Sequence, residues 1–420
     1  MHYKSIINSF LNKTGIPLTA FPILTGYSLS SIISFLSVPI LFKESLNNNP
    51  LPLYTLTIFG LISVFDLALP RTTIFLFSKE SANTKKAITL CLSALVSYSV
   101  ISLIGFKLLL PSSFTEYDFN IILKISFVLS ISGVLNILKS ITDAIGKFYF
   151  SAIFRPLQAI IITTIPWLIV KNQSSKIIIL ITFLIIIIGC FTLFIHKKNK
   201  QKLMQRSKKE IKIIKQTSFK NAYINLLFSS LLIFSCNMGE RFILPWIATP
   251  LILSSYLALQ EYSSKITAVG TVILLAYYPK LSYICKTGNM KSIVNCLNKS
   301  VIASCFTSII VSLMIYIIAW FKLNSIFTIF GYLPILLSLI GLVFNTINSQ
   351  LLNFFEATYS FNYKTITLIF STIISYILLF ILLQLYPVGI SIILFPFYKG
   401  IVELLFGTIM VRRKLCKFIA

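Results

Sequence analysis

The feature that most constrains this chain is a series of apolar stretches too long for a water-soluble fold. From Ile177 to His196 runs a block with no Asp, Glu, Lys or Arg, centred on four consecutive isoleucines, Ile185 to Ile188. A helix needs about 20 mostly apolar residues to cross the hydrocarbon core of a bilayer. Blocks of that size recur from end to end. Barrel strands would alternate apolar and polar residues over about ten positions, whereas these blocks are apolar on every side. Lipid offers the backbone no hydrogen-bonding partner, so they must be helices. The sequence predicts an all-α membrane protein with twelve transmembrane helices. The first six fall at 15–42, 51–78, 87–106, 119–138, 148–170 and 177–196. The second six fall at 221–247, 250–278, 298–321, 325–354, 365–385 and 388–411. Composition agrees: only 11% of residues are charged, where soluble domains carry about 25%.

The net charge of +26 would point to nucleic acid in a soluble protein. Its distribution gives a better account, with no nucleic-acid partner. With twelve helices and both termini inside, 26 Lys and Arg fall in segments on one side of the membrane. The loops on the other side hold only Lys43, Lys107, Lys171, Lys176 and Lys322. Basic residues stay cytoplasmic and meet anionic lipid headgroups. The expected location is therefore the bacterial inner membrane, multi-pass, with both termini in the cytoplasm.

The longest polar segment, 197–220, carries ten basic residues and one acid, Glu210. It divides the chain into a six-helix half at 1–196 and another at 221–420, with 197–220 as a basic cytoplasmic linker. A faint internal echo pairs Leu53-Tyr54-Thr55-Leu56 with Ser255-Tyr256-Leu257-Ala258 and carries little weight alone. The N-terminus does not read as a cleavable signal peptide, lacking a small-x-small cleavage site. None of the seven cysteines forms a CxxC, and most lie in apolar runs. They read as packed free thiols, with no disulfide frame or zinc site implied.

Several chemistries are excluded by what is missing. Only two histidines occur, His2 and His196, and there is no HExxH, GxSxG or GxxxxGK[ST]. No extramembrane segment leaves room for a folded catalytic domain. The chain reads as a transporter, not an enzyme, and no cofactor is expected.

Ionisable groups at membrane depth cost several kcal/mol and normally face a cavity or a partner. Ten qualify: Asp66, Arg71, Lys124, Arg155, Glu240, Arg241, Glu261, Lys265, Lys399 and Glu403. Glu261/Lys265 and Lys399/Glu403 are four apart, on one helix face. Asp66 and Arg71 are five apart around Pro70. Glu240 and Arg241 are adjacent, so their side chains diverge towards other helices. Lys124 and Arg155 have no nearby acid in sequence. Lys124 lies near a helix end, where snorkelling to the interface is the plainer reading, and Arg155 precedes Pro156. The excess of cations suits an anionic substrate, and Arg offers phosphate a planar fork of donors. The candidate substrate-binding set is Arg155, Arg241, Arg71, Lys265 and Lys124. Asp66, Glu240, Glu261 and Glu403 are structural partners or coupling acids. Pro22, Pro39, Pro70, Pro166 and Pro334, in or beside spans, bend helices in a rocking transporter or are tolerated kinks.

At these residues the chain resembles a known family. Tyr27-Ser28-Leu29 and Ile33-Ser34-Phe35-Leu36-Ser37-Val38-Pro39-Ile40-Leu41 are similar to the first helix of Wzx-type O-antigen flippases. Leu53-Tyr54-Thr55-Leu56 and Phe65-Asp66-Leu67-Ala68-Leu69-Pro70-Arg71 follow in order. Glu240-Arg241-Phe242-Ile243-Leu244 resembles the family's acidic-Arg-Phe motif. Tyr262-Ser263-Ser264-Lys265-Ile266 and Tyr278-Pro279-Lys280-Leu281-Ser282 resemble its eighth helix and exit. Where the family places glycine after the second-helix acid, this chain has Asp66-Leu67-Ala68-Leu69.

That family belongs to the multidrug/oligosaccharidyl-lipid/polysaccharide (MOP) exporter superfamily. The resemblance implies two six-helix bundles around a central cavity, and the movement of undecaprenyl-diphosphate-linked oligosaccharide between leaflets. It also implies a proton or sodium gradient as the drive, membrane lipids as surroundings, and a polysaccharide polymerase and chain-length regulator as partners. Two rivals stay open. A drug/cation antiporter of the same superfamily would need an acid-rich cavity. A membrane polysaccharide polymerase or ligase would need a long periplasmic loop. The topology is directly testable. Reporter fusions at position 205 and at the C-terminus should both give cytoplasmic signals, and a periplasmic signal at either refutes twelve helices.

Overall fold

The computed structural model describes residues 20–46, 53, 55–56, 58, 84–109, 119–144, 148–171, 231–232, 235, 239–287, 290–358 and 360–419. Eleven helices occur among them: α1 (Ala20–Leu46), α2 (Thr84–Leu109), α3 (Phe119–Ala144), α4 (Phe148–Val170), α5 (Glu240–Ile247), α6 (Pro250–Thr287), α7 (Met290–Lys322), α8 (Asn324–Phe330), α9 (Tyr332–Ala357), α10 (Phe361–Leu385) and α11 (Val388–Ile419). No strand is present among the described residues, so the all-helical expectation holds. Stretches within α3, α4, α7, α9, α10 and α11 are long and apolar enough to cross a membrane. The expected helix at 177–196 and the linker 197–220 lie outside the described residues. So does most of 51–78, where Leu53, Thr55, Leu56 and Ile58 are helical.

Some boundaries differ from the hydropathy reading for local reasons. The helix expected at 119–138 runs on to Ala144. This brings Lys139 into the helix, where its ammonium donates to Asn136 Oδ1 at 2.9 Å. The span expected at 325–354 is interrupted. Gly331 takes φ +83°, a left-handed conformation that glycine adopts without strain, and its N–H caps α8 on the Phe327 carbonyl. Most of the span expected at 221–247 lies outside the described residues; at its far end Gly239 directly precedes α5, with its N–H on the Ser235 carbonyl. Pro39 and Pro166 lie inside α1 and α4.

The helices form two compact units. In one, α3 packs between α2 and α4. Its buried surface carries Ser126, Ser130, Ser132, Asn136, Ser140 and Thr142. Most of these hydroxyls donate to carbonyls three or four residues back, as Ser132 does to Leu129 and Ser140 to Asn136. That satisfies them without a partner helix. Gly133 lies against the Tyr98 ring, where a Cβ would collide.

The other unit holds α5–α11 together with α1, which packs on α6. The most extensive packing here joins α9 to α11. A Cβ on Gly341 would meet the backbone of Pro396 and Phe397, and one on Gly400 would meet the backbone of Gly341. Lipid tails are as apolar as leucine, so helix association in membranes relies on small residues that let backbones touch. Next along, Gln350 donates to the Gly270 carbonyl at 2.9 Å and ties α9 to α6.

Since backbone atoms cannot yield as a side chain can, Gly341→Ala and Gly400→Ala should each destabilise the protein by about 1–3 kcal/mol, the scale of core overpacking. Gly389→Ala is the control, as its nearest neighbours are 3.5 Å away. Thermal unfolding of purified variants in detergent reads the difference, and three equal midpoints would refute the close crossing.

Candidate functional site

The membrane-depth charges of the C-terminal unit converge where α5, α6 and α11 meet α10. Glu240 and Arg241 open α5, both at least 96% buried. Adjacent helical positions point about 100° apart, so the two side chains take separate partners, both on α6. The Tyr256 hydroxyl donates to Glu240 Oε1 at 3.1 Å. Arg241 Nη1 donates to Glu261 Oε1 at 3.2 Å, forming an ion pair with side-chain exposures of 3% and 17%. Glu240 Oε2 and Arg241 Nε are buried without a hydrogen-bond partner.

The pairs expected from sequence spacing divide. Lys399 and Glu403, one turn apart on α11, form an ion pair at 3.9 Å. Glu261 and Lys265 share the same spacing on α6, but Glu261 turns to Arg241. Lys265 instead donates to the Ser34 hydroxyl on α1 at 3.1 Å, within electrostatic reach of Glu261. Aromatic groups join the network. The Tyr376 hydroxyl on α10 donates to the Ser235 carbonyl at 2.9 Å, and its ring lies 5.9 Å from that of Phe395. Lys399 Nζ lies 5.9 Å from the Phe395 ring centroid, and Glu403 is within electrostatic reach of Glu240.

Placement of the other candidates is simpler. Arg155, half-buried on α4, is that helix's only charged residue. Lys124 is exposed near the start of α3. Asp66 and Arg71 lie outside the described residues. The structure therefore gathers Glu240, Arg241, Glu261, Lys265, Lys399 and Glu403 in one unit, and Lys124 and Arg155 belong to the other. Within the first set, three carboxylates face three cations. Sequence reasoning missed Tyr256, Ser34 and Tyr376 as partners. Only a polar Ser254-Ser255-Tyr256 run inside an apolar span hinted at the first. No group of His, Cys, Asp and Glu able to hold a metal ion occurs among the described residues.

No protein-family model matches the chain, and no curated protein sequence does. Solved structures do. The MATE transporter VcmN of Vibrio cholerae aligns with a TM-score of 0.62 at 13% identity, over 95% of this chain and 96% of that one. The lipid II flippase MurJ, in an inward closed conformation, aligns at 0.59 and 15%, over 96% and 89%. A MOP-superfamily transporter of Pyrococcus furiosus aligns at 0.57 and 14%, over 96% and 95%. Nearly the whole chain thus shares the fold of MOP-superfamily transporters.

Removing one member of a buried ion pair strands the other charge, at about 3–5 kcal/mol, while replacing both is far milder. Glu261→Gln and Arg241→Met should each lower the unfolding midpoint of the purified protein strongly, and the double variant should recover much of the loss. Additive losses in the double-mutant cycle would show that the two side chains do not act as a pair.

Proposed function

We propose that this multi-pass membrane protein is a lipid-linked oligosaccharide flippase of the bacterial inner membrane. It carries an undecaprenyl-diphosphate-linked repeat unit from the cytoplasmic to the periplasmic leaflet by alternating access. A transporter role is supported by its fold, because the proteins sharing it are transporters, one of them a lipid II flippase. The oligosaccharide substrate is supported by the ordered motifs shared with Wzx-type flippases.

One observation favours this reading over a drug/cation antiporter. Every described carboxylate at membrane depth holds a partner within the protein: Glu240 has Tyr256, Glu261 has Arg241 and Glu403 has Lys399. Each therefore has at least one protein donor, with which a cationic drug would have to compete, although Glu240 Oε2 has none. Cations outnumber acids among the described groups at membrane depth, and the one charged residue of α4 is the arginine Arg155. A guanidinium grips phosphate through two parallel donors, so Arg155 is assigned to the substrate diphosphate. Arg241 already has Glu261, and reaches phosphate only if that pair opens during transport. A proton or sodium gradient supplies the drive, and a polysaccharide polymerase takes up the delivered repeat unit.

Deleting the gene should leave lipid-linked repeat units on the cytoplasmic face and remove surface polysaccharide. In complementation, Arg155→Ala should lower flipping about 10- to 100-fold, the worth of a charge-assisted hydrogen bond, at an unchanged membrane level. Arg155→Lys should restore part of it, because a point charge remains but the fork is lost. Full complementation by Arg155→Ala removes its binding role. Normal surface polysaccharide in a deletion strain without a redundant flippase refutes the assignment.

A further inference from the structure

The surface of α7 divides cleanly along its length. One face, with Ile293, Leu297, Ile315, Ala319 and the regularly spaced Ser300, Ser304, Ser308 and Ser312, is buried, and the helix packs on α6 and α9. The opposite face is exposed throughout and changes character in three steps. It opens with Lys291, Asn295 and Asn298, which with Val294 line an open cavity of about 390 Å³. It continues through Ile302, Phe306, Ile309, Leu313 and Ile317, each at least 45% exposed. It ends at Trp320 and Phe321, whose rings stack at 5.5 Å.

This register matches a bilayer. From Ile302 to Trp320 the helix rises about 27 Å at 1.5 Å per residue, close to the roughly 30 Å of a hydrocarbon core. Tryptophan is enriched at the membrane–water interface, so Trp320, followed by Lys322, marks one boundary. The cavity then lies at headgroup level beyond the other. Its charge is one-sided: α7 contains no acidic residue, and none occurs between Glu261 and Glu356. The cavity therefore offers an ammonium and two carboxamides, beside an apolar stripe that begins one turn further along.

We propose that this cavity binds the headgroup of an anionic phospholipid. The phosphate lies against the Lys291 ammonium and the Asn295 and Asn298 carboxamides, and an acyl chain lies along Ile302, Phe306 and Ile309. The site needs no change in the transported substrate and is independent of the flippase reading. A zwitterionic lipid carries its own ammonium and gains less from Lys291. Free phosphate lacks the chain that the stripe accommodates.

The full-length protein purified in detergent provides the test, by thermal unfolding and by native mass spectrometry of retained lipid. Phosphatidylglycerol should raise the unfolding midpoint and remain bound, while phosphatidylcholine and inorganic phosphate should do neither. Lys291→Gln should weaken the phosphatidylglycerol effect about fivefold, the worth of one lysine at an anionic headgroup. Asn298→Leu should weaken it as well. Lys299→Gln, exposed but outside the cavity lining, should leave it intact. These side chains are on the surface, so the variants should fold normally. Equal stabilisation by phosphatidylcholine or by phosphate overturns the site. So does an equal loss in Lys299→Gln, which would mean diffuse surface charge. Cross-linking through Phe306 into a stable dimer also overturns it, because a second copy of the chain would then cover the stripe.

Discussion

A bilayer supplies no hydrogen bonds to a backbone, and this governs every element described here. A peptide group in hydrocarbon must find its partner within its own segment or leave the membrane. The chain answers with helices, and even its interruptions keep the account closed. At Gly331 the glycine N–H caps α8 on the Phe327 carbonyl. Between α5 and α6 the Ala248 N–H caps α5 on the Leu244 carbonyl. The same demand extends to side chains. The hydroxyls of α3 and α10 mostly return to their own helix, as Ser130 does to Phe127 and Thr372 to Leu368.

With the backbone satisfied, something other than water exclusion must hold the helices together. The Gly341–Gly400 crossing brings two backbones into contact, and dispersion between closely packed atoms then favours association. The Gly407–Asn348 contact extends the same α9–α11 seam. Alongside this close packing, the unit carries charges that single helices could not have kept. Six ionisable groups stay buried or half-buried because each acid meets a donor: Glu240 and Glu261 across the α5–α6 contact, and Glu403 one turn away on α11. A balanced network of this kind resists removal of any one member more than replacement of a pair. It ties α5 to α6, and through Lys265 and Ser34 it reaches α1.

In the C-terminal unit Arg241 and Lys399 have carboxylate partners and Lys265 has a hydroxyl, and on α4 Arg155 is the one charged residue. On α7 the arrangement differs. Lys291 lies in its first turn and Lys322 at its last residue, and a cation at the end of an apolar helix reaches a polar surrounding at little cost.

Much of this was legible in the sequence. Runs such as 148–170 and 365–385 declared helices because hydropathy over twenty residues reflects only the chain and the lipid around it. The Lys399–Glu403 pair was equally legible, since one helix fixes both side chains on one face. The adjacency of Glu240 and Arg241 required them to diverge. Other features depended on which helix lies opposite. Glu261 had two cations within reach, and only the packing of α5 on α6 settled it on Arg241 and sent Lys265 to Ser34. The Gly341–Gly400 contact is invisible along the chain, because a glycine in an apolar run carries no mark of the backbone facing it. Sequence alone determined that this protein is a bundle of membrane helices with buried charge. Tertiary structure decided which charges pair, because an ion pair between helices is fixed by their crossing and not by the order of residues along either one.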